Sequence, residues 1–309
     1  MSASQPEILI AIMGPTGSGK SSFIKHLCNN VQIGHGLESC TSEVYVTPAF
    51  RLENATIRLI DTPGFDDTTR TNTEILDEIC KYLDLSYRAG MKLSGLIYLH
   101  KITDNRMGGI SVTNMKMFQK LCGEDALKNV VLCTTMWDLV GAQVGEAREK
   151  QLKEQFWSRM LKRGAGVMRH DGSSQSAHAI ISSMLGYDLV DLQIQDELVN
   201  QHKTLLETAA GEEINKEVLK LQAKYEQELA SMKQQMNEAL ASKDVEMQRM
   251  IEEDRELYQG KLDELKRDHE ALSRQRDAEM EGLRGEITRL QDANRGGFWR
   301  QLHRLIFGR

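Results

Sequence analysis

Gly14-Pro15-Thr16-Gly17-Ser18-Gly19-Lys20-Ser21 lies between the apolar run Ile8-Leu9-Ile10-Ala11-Ile12-Met13 and a helix-like run over residues 20–28. The order strand, G-x-x-x-x-G-K-[ST], helix is what a phosphate-binding P-loop requires. Its glycines let the backbone curl so that successive N–H groups point inward at an anion. The helix that follows adds the positive end of its dipole. In this frame Lys20 reaches the β- and γ-phosphates and the Ser21 hydroxyl ligates Mg²⁺. The expected phosphate cradle is Gly14, Pro15, Thr16, Gly17, Ser18, Gly19, Lys20, Ser21 and Ser22.

Outward from this loop, short apolar runs alternate with helical patterns as far as about residue 185. Strands are expected over 8–13, 44–50, 56–61, 95–100, 130–134 and 165–169, and helices over 20–28, 73–89, 111–122, 146–161 and 177–185. Such alternation behind a P-loop predicts an α/β fold of the P-loop NTPase kind, a mostly parallel sheet with helices on both faces. Only Leu52-Glu53-Asn54-Ala55 joins the second and third strands, too short for a crossover, so these two should form an antiparallel hairpin.

Asp61-Thr62-Pro63-Gly64 follows the third strand, 41 positions after Lys20 (61 − 20). An acid at that strand end supplies the second Mg²⁺ contact of a P-loop fold, usually through water. Gly64, with no side chain in the way, can bring its N–H to a γ-phosphate. D-x-x-G at this place marks the GTPase class. Between the two motifs, the loop 34–41 carries hydroxyls that could ligate Mg²⁺ when a γ-phosphate is present; Thr41 is the first choice and Ser39 the second. After the fifth strand, Thr135-Met136-Trp137-Asp138 resembles the guanine-reading [NT]-K-x-D. Asp138 would accept from guanine N1–H and the exocyclic amine, and it could instead cap the next segment. Met136 replaces the lysine and keeps only its packing along the base. Arg169-His170-Asp171-Gly172, after the sixth strand, is the candidate base-contacting loop, with His170 stacking on or bonding the base, or lying in an ordinary surface loop.

Composition narrows the classes. The chain has 309 residues and a net charge of −6, which argues against a general nucleic-acid binder; no nucleic-acid partner is expected. Neither a secretory leader nor an apolar run of about 18 residues is read in it. Its five cysteines are scattered without C-x-x-C spacing, which fits a reducing, cytoplasmic setting and not a zinc or disulfide framework.

From about residue 188 to 293 the text becomes rich in Glu, Lys, Gln, Leu and Met. One apolar seam runs Ile214, Val218, Leu221, Tyr225, Leu229, Met232, Met236, Leu240. Another runs Tyr258, Leu262, Leu265, His269, Leu272, Met280, Leu283, Ile287, Leu290. These seams predict a coiled-coil stalk with a phase break over 241–257. The expected divisions are a G domain over 1–205, a stalk over 206–293 and a basic amphipathic segment over 294–309. In the last, Phe298, Trp299, Leu302, Leu305 and Ile306 share a helical face while Arg300, Arg304 and Arg309 lie elsewhere, a pattern suited to a membrane surface or a partner groove.

With these motifs in hand, residues 7–205 resemble septin-like GTPases of the immune-associated nucleotide-binding group, the AIG-type G domains related to septins and chloroplast import receptor GTPases. Gly36-Leu37-Glu38-Ser39-Cys40-Thr41 and Arg106-Met107-Gly108-Gly109 look most like fungal G-domain proteins of that group. The resemblance implies binding of GTP and GDP with Mg²⁺, slow hydrolysis and nucleotide-linked dimerisation through the G domains, and the stalk seams are expected to add coiled-coil oligomerisation. Phe65 stands where Ras-like enzymes carry a water-positioning glutamine, so help is expected from elsewhere: His100, Arg106 or a facing protomer. Lys20, Thr41, Gly64, His100 and Arg106 are thus the candidate catalytic residues, and Ser21, Thr41 and Asp61 the candidate Mg²⁺ ligands. Two other readings stay open: a P-loop ATPase or kinase, given Met136, and a coiled-coil scaffold that binds nucleotide without turnover, given Phe65.

Overall fold

Residues 8–13 are apolar at every position because β1 (Ile8–Met13) is covered on both faces of a sheet. The computed structural model describes residues 7–28, 43–67, 70–242 and 244–273. The other strands are β2 (Tyr45–Val46), β3 (Phe50–Leu52), β4 (Ala55–Asp61), β5 (Gly95–Lys101), β6 (Val130–Thr135) and β7 (Gly166–Arg169). They run in the order β2-β4-β1-β5-β6-β7, with β3 also on β4. β4, β1, β5, β6 and β7 are mutually parallel, while β2 and β3 pair antiparallel to β4, as the short 52–55 connection requires.

Strand alternation sorts the core into two layers. Ile10 and Ile12 face Phe23 and Ile24 of α1 (Lys20–Lys25) and Ile180 and Ile181 of α6 (Ser174–Ser182). Leu9, Ala11 and Met13 face the other way, toward α2 (Asn72–Arg88) and α3 (Gly109–Cys122). The P-loop therefore leaves the end of β1 with one helix layer on either side.

The edge strand expected over 44–50 is interrupted between β2 and β3. Pro48 has no N–H to give to a ladder, so pairing stops there. Thr47 bridges the gap: its N–H donates to the Leu59 carbonyl (2.9 Å) and its hydroxyl accepts from the Leu59 N–H (3.0 Å). The single helix expected over 146–161 is likewise divided. It starts at α4 (Ala142–Gln151), widens into a π turn over Leu152–Phe156, and resumes as α5 (Ser158–Lys162). The Trp157 N–H reaches back to the Leu152 carbonyl at 2.7 Å, and this extra residue per turn swings the Trp157 ring fully into the core.

Beyond α7 (Gln193–Gln195), the seam residues pair within the chain. α8 (Ala209–Ser242) and α9 (Val245–Leu272) fold back on each other as an antiparallel hairpin. Tyr225 meets Tyr258 edge-on at 5.6 Å, and Asn215 Oδ1 lies 2.9 Å from His269 Nδ1. The expected phase break is the hairpin turn, with Asp244 capping α9 through the Met247 N–H at 3.0 Å. Ala239, not Leu240, takes the inward position beside that turn. α8 also lies along α3, and the end of α9 reaches α2, so the extension is docked on the sheet domain and not an open stalk over these residues. Met280, Leu283, Ile287, Leu290 and the 294–309 segment lie outside the described residues, as do Ser39 and Thr41.

Candidate nucleotide site

The P-loop is shaped by a few tight contacts. Gly19, just before α1, has φ 92°, which an L side chain rarely adopts. Lys20 is buried, and its Nζ donates to the carbonyls of Gly14 (3.1 Å) and Pro15 (3.0 Å), curling back over the loop it belongs to. Burial lowers its pKa to about 8, against the pull of the Asp61 and Asp67 carboxylates. Ser18 Oγ is buried with no hydrogen-bond partner among the described residues, an open polar group inside the cradle. Each of these features suits an anion: a buried cation tied only to carbonyls exchanges them for phosphate oxygens.

Asp61 ends β4 beside the P-loop. Ser21 Oγ donates to Asp61 Oδ2 at 3.0 Å. A hydroxyl and a carboxylate held together next to a phosphate cradle are the hard oxygen donors Mg²⁺ takes, so these two residues fit the ion. Thr62 anchors the turn by donating from its hydroxyl to the Ile12 carbonyl at 2.9 Å.

Gly64 and Phe65 are strapped directly to the P-loop. The Thr16 N–H donates to the Phe65 carbonyl (2.7 Å), Thr16 Oγ1 to the Gly64 carbonyl (3.1 Å), and the Phe65 N–H to the Gly14 carbonyl (3.3 Å). A Cβ at Gly64 would come within 2.7 Å of the Thr16 backbone nitrogen. Phe65 itself is fully buried, so no side chain stands there to orient a water. Glu78 on α2 was not expected from the sequence. It accepts from the Val44 N–H (2.7 Å) and from Arg70 (2.6 Å), tying together the chain just after each of the two loops that flank β2 to β4. Burial raises its pKa, with Arg70 opposing.

The base side is organised by β6. Thr135 Oγ1 donates to the Ser18 carbonyl at 2.8 Å, linking this loop to the P-loop. Met136 adopts φ 61°, and its sulfur accepts from Thr103 Oγ1 at 3.9 Å. Trp137 is pinned by its Nε1–H on Thr134 Oγ1 (2.9 Å) and by the Arg169 guanidinium 4.1 Å above its ring. Arg169 in turn grips Glu149 through two nitrogens, at 2.9 and 2.7 Å. This brace leaves Asp138 exposed, capping no helix and with no hydrogen bond among the described residues. His170 is buried against Phe23 and His26, with Nδ1 2.8 Å from Ser176 Oγ; burial and His26 lower its pKa.

His100 and Arg106 come together, but in a neighbouring cavity of about 300 Å³ lined also by Asn105, Arg148, Gln151 and Phe156. His100 is almost fully buried, edge-on to Trp157 at 6.1 Å, and burial lowers its pKa to about 4, so it is neutral at pH 7. Arg148 fixes the loop after β5 by donating to the carbonyls of Ile102 (2.9 Å) and Thr103 (3.0 Å).

Among curated proteins none matches this sequence. Residues 9–88 match the family described as 50S ribosome-binding GTPase. Among solved structures, the chain is similar to Toc33 from Arabidopsis thaliana in complex with Mg²⁺ and GMPPNP, at 15% identity and a TM-score of 0.47, over 64% of this chain and 86% of that one. It is also similar to Era in complex with MgGDPNP and a 16S ribosomal RNA fragment, at 15% identity and a TM-score of 0.46, over 61% of this chain and 58% of that one. The translation elongation factor SelB from Methanococcus maripaludis with GPPNHP is similar at 15% identity and a TM-score of 0.41, over 59% of this chain and 35% of that one. Strand order and P-loop geometry show a G-domain-like fold, and residues 9–88 within it are similar to a GTPase family.

Proposed function

We propose that the chain is a Mg²⁺-dependent GTP-binding switch of the AIG-type, septin-like group, with slow hydrolysis to GDP and nucleotide-linked dimerisation through the G domain. The observation that carries this reading is the contact of Ser21 with Asp61 beside the buried Lys20. It puts a metal-ligand pair and a phosphate-seeking cation at the end of one strand. Gly14 to Ser22 wrap the phosphates, Ser21 and Asp61 hold the ion with Thr41, and Asp138 reads the base with Thr135 behind it. His170 lines the base side from beneath. An incoming γ-phosphate would draw the Gly64 N–H toward itself and so pull on the neighbouring strap between Thr16 and the Gly64 and Phe65 carbonyls, which gives the switch its two positions. Exposed Leu240, Val245, Met247, Met250 and Leu257 in the distal half of the hairpin support further self-association there.

Arg106 is exposed, where it can reach a facing protomer's nucleotide, and His100 lines the same cavity. The test is phosphate release from GTP measured against protein concentration. A rate per protomer that rises with concentration, and stays flat and low in Arg106→Ala, supports hydrolysis across a dimer. A second reading, nucleotide binding without turnover, draws on the burial of Phe65; it requires no phosphate release at any concentration from protein shown to hold GTP.

A further inference from the structure

A cleft of about 330 Å³ separates the helical hairpin from the segment after Gly64. Asp66, Asp67, Arg70 and Thr71 form one wall, and Tyr225, Lys261, Glu264 and Asp268 the other. Its floor is apolar, built from Ile214, Val218, Leu221 and Leu265, with Ile110 half exposed at the rim. Five carboxylates line it (Asp66, Asp67, Glu217, Glu264, Asp268) against two cations, and one of these, Arg70, is already paired with Glu78. An apolar floor under an acidic rim selects a basic segment with large apolar side chains.

We propose that this cleft is the docking site of the chain's own segment 295–309, which seats an aromatic side chain on the apolar floor and sets its arginines against the acidic rim. The segment has the complementary chemistry: Phe298, Trp299, Leu302, Leu305 and Ile306, with Arg295, Arg300, Arg304, Arg309 and no acid. It is also in reach. α9 ends at Leu272, about 6 Å along the helix from Asp268, and the 22 residues from 273 to 294 can span roughly 70 Å when extended. Burial first, and then the carboxylates of Glu74 and Glu264, raise Asp268 to about 6, so a cation brought beside it would favour its charged form. Thr71 Oγ1 donates to Asp268 at 3.0 Å, and Thr71 also caps α2, so a docked segment would brace the chain that follows Gly64. This consequence, restraint of the switch, rests on the reading above; the docking itself does not.

The experiment places a photoreactive p-benzoylphenylalanine at Trp299 in the full chain without nucleotide. Cross-links are expected within one chain, to peptides carrying residues 214–225 or 261–268. Glu217→Lys with Glu264→Lys, both away from the core, should cut the yield about fivefold or more. Adding Arg300→Glu and Arg304→Glu should restore it, which a misfolded variant would not do. Cross-links elsewhere in the chain, a cross-linked dimer in place of the intramolecular product, or a yield indifferent to the charge changes would overturn the proposal. So would an absent intramolecular product from protein that pellets with phosphatidylserine vesicles, since the segment would then belong to a lipid surface. Because no nucleotide is present, failure here leaves the GTPase reading standing, and failure of nucleotide binding leaves the cross-link result standing.

Discussion

Gly64→Ala measures the strap between the P-loop and the chain after β4. The new Cβ would lie 2.7 Å from both the backbone nitrogen and Cα of Thr16, atoms that cannot rotate away. Relief requires the 63–65 segment to part from the P-loop. That removes the bonds from Thr16 N–H to Phe65 (2.7 Å), from Thr16 Oγ1 to Gly64 (3.1 Å) and from Phe65 N–H to Gly14 (3.3 Å). At a net value of about 1 kcal/mol each, the loss is about 3 kcal/mol. For a domain of about 200 residues this lowers Tm by roughly 6–12 °C. The assay is thermal unfolding of nucleotide-free protein followed by circular dichroism. Gly141→Ala, at a site with open space around it, is the control and should shift Tm by no more than about 2 °C. A Gly64→Ala protein melting within about 2 °C of the parent would refute the strap and the conformational antagonism built on it.

Other perturbations address single groups. Asp138→Ala should weaken GTP and GDP by about 10- to 100-fold with little effect on ATP, read by competition binding, because two charge-assisted bonds to guanine disappear. Lys20 is held at about 8 in the fold and returns to its ordinary, higher value on unfolding. Between those values the unfolded chain binds the extra proton, so this group makes stability rise with pH above about 8. The difference in urea midpoint between the parent and Lys20→Met should therefore change with pH across this window, and a constant difference contradicts the burial of the ammonium. Asp268→Asn keeps an acceptor for Thr71 and removes a charge whose pKa is raised to about 6, so its Tm at pH 7 should equal or exceed the parent's, with the advantage gone at pH 4. Gly260→Ala, in an exposed turn of α9 with open space beside it, should stabilise the protein by about 0.5–1 kcal/mol in urea unfolding.

The parts of the fold legible in the sequence are those encoded by neighbours. The P-loop, Asp61-Thr62-Pro63-Gly64 and the β3–β4 hairpin each depend on residues a few positions apart. What spacing could not show depends on long-range partners. The heptads around Ile214 and Tyr258 show that each helix needs a seam, but a seam looks the same whether its partner is another chain or the next helix; the antiparallel return of α9 along α8 decides it. Pro48 could have been read as a break in the edge strand, since a missing N–H is a local fact. The π turn before Trp157 carries no such mark, because it is set by where the indole must go. At the site, Thr16 is expected in the phosphate cradle, and its pattern gives no sign that its hydroxyl and N–H bind the Gly64 and Phe65 carbonyls. Glu78 and the Glu149–Arg169–Trp137 brace looked like ordinary helix charges and a loop aromatic. Their partners lie 34 and 20 positions away, beyond what pattern alone can reach.

The central claim is that Lys20, Ser21, Asp61 and Asp138 form a Mg²⁺–guanine nucleotide site. Calorimetric titration of the full chain with GTP, GDP and ATP, each with and without Mg²⁺, tests it most directly. The account predicts micromolar or tighter GTP and GDP binding, weakened by removal of Mg²⁺ for GTP above all, and ATP far weaker. Equal or preferential binding of ATP, or no heat with any nucleotide from folded protein, would contradict it.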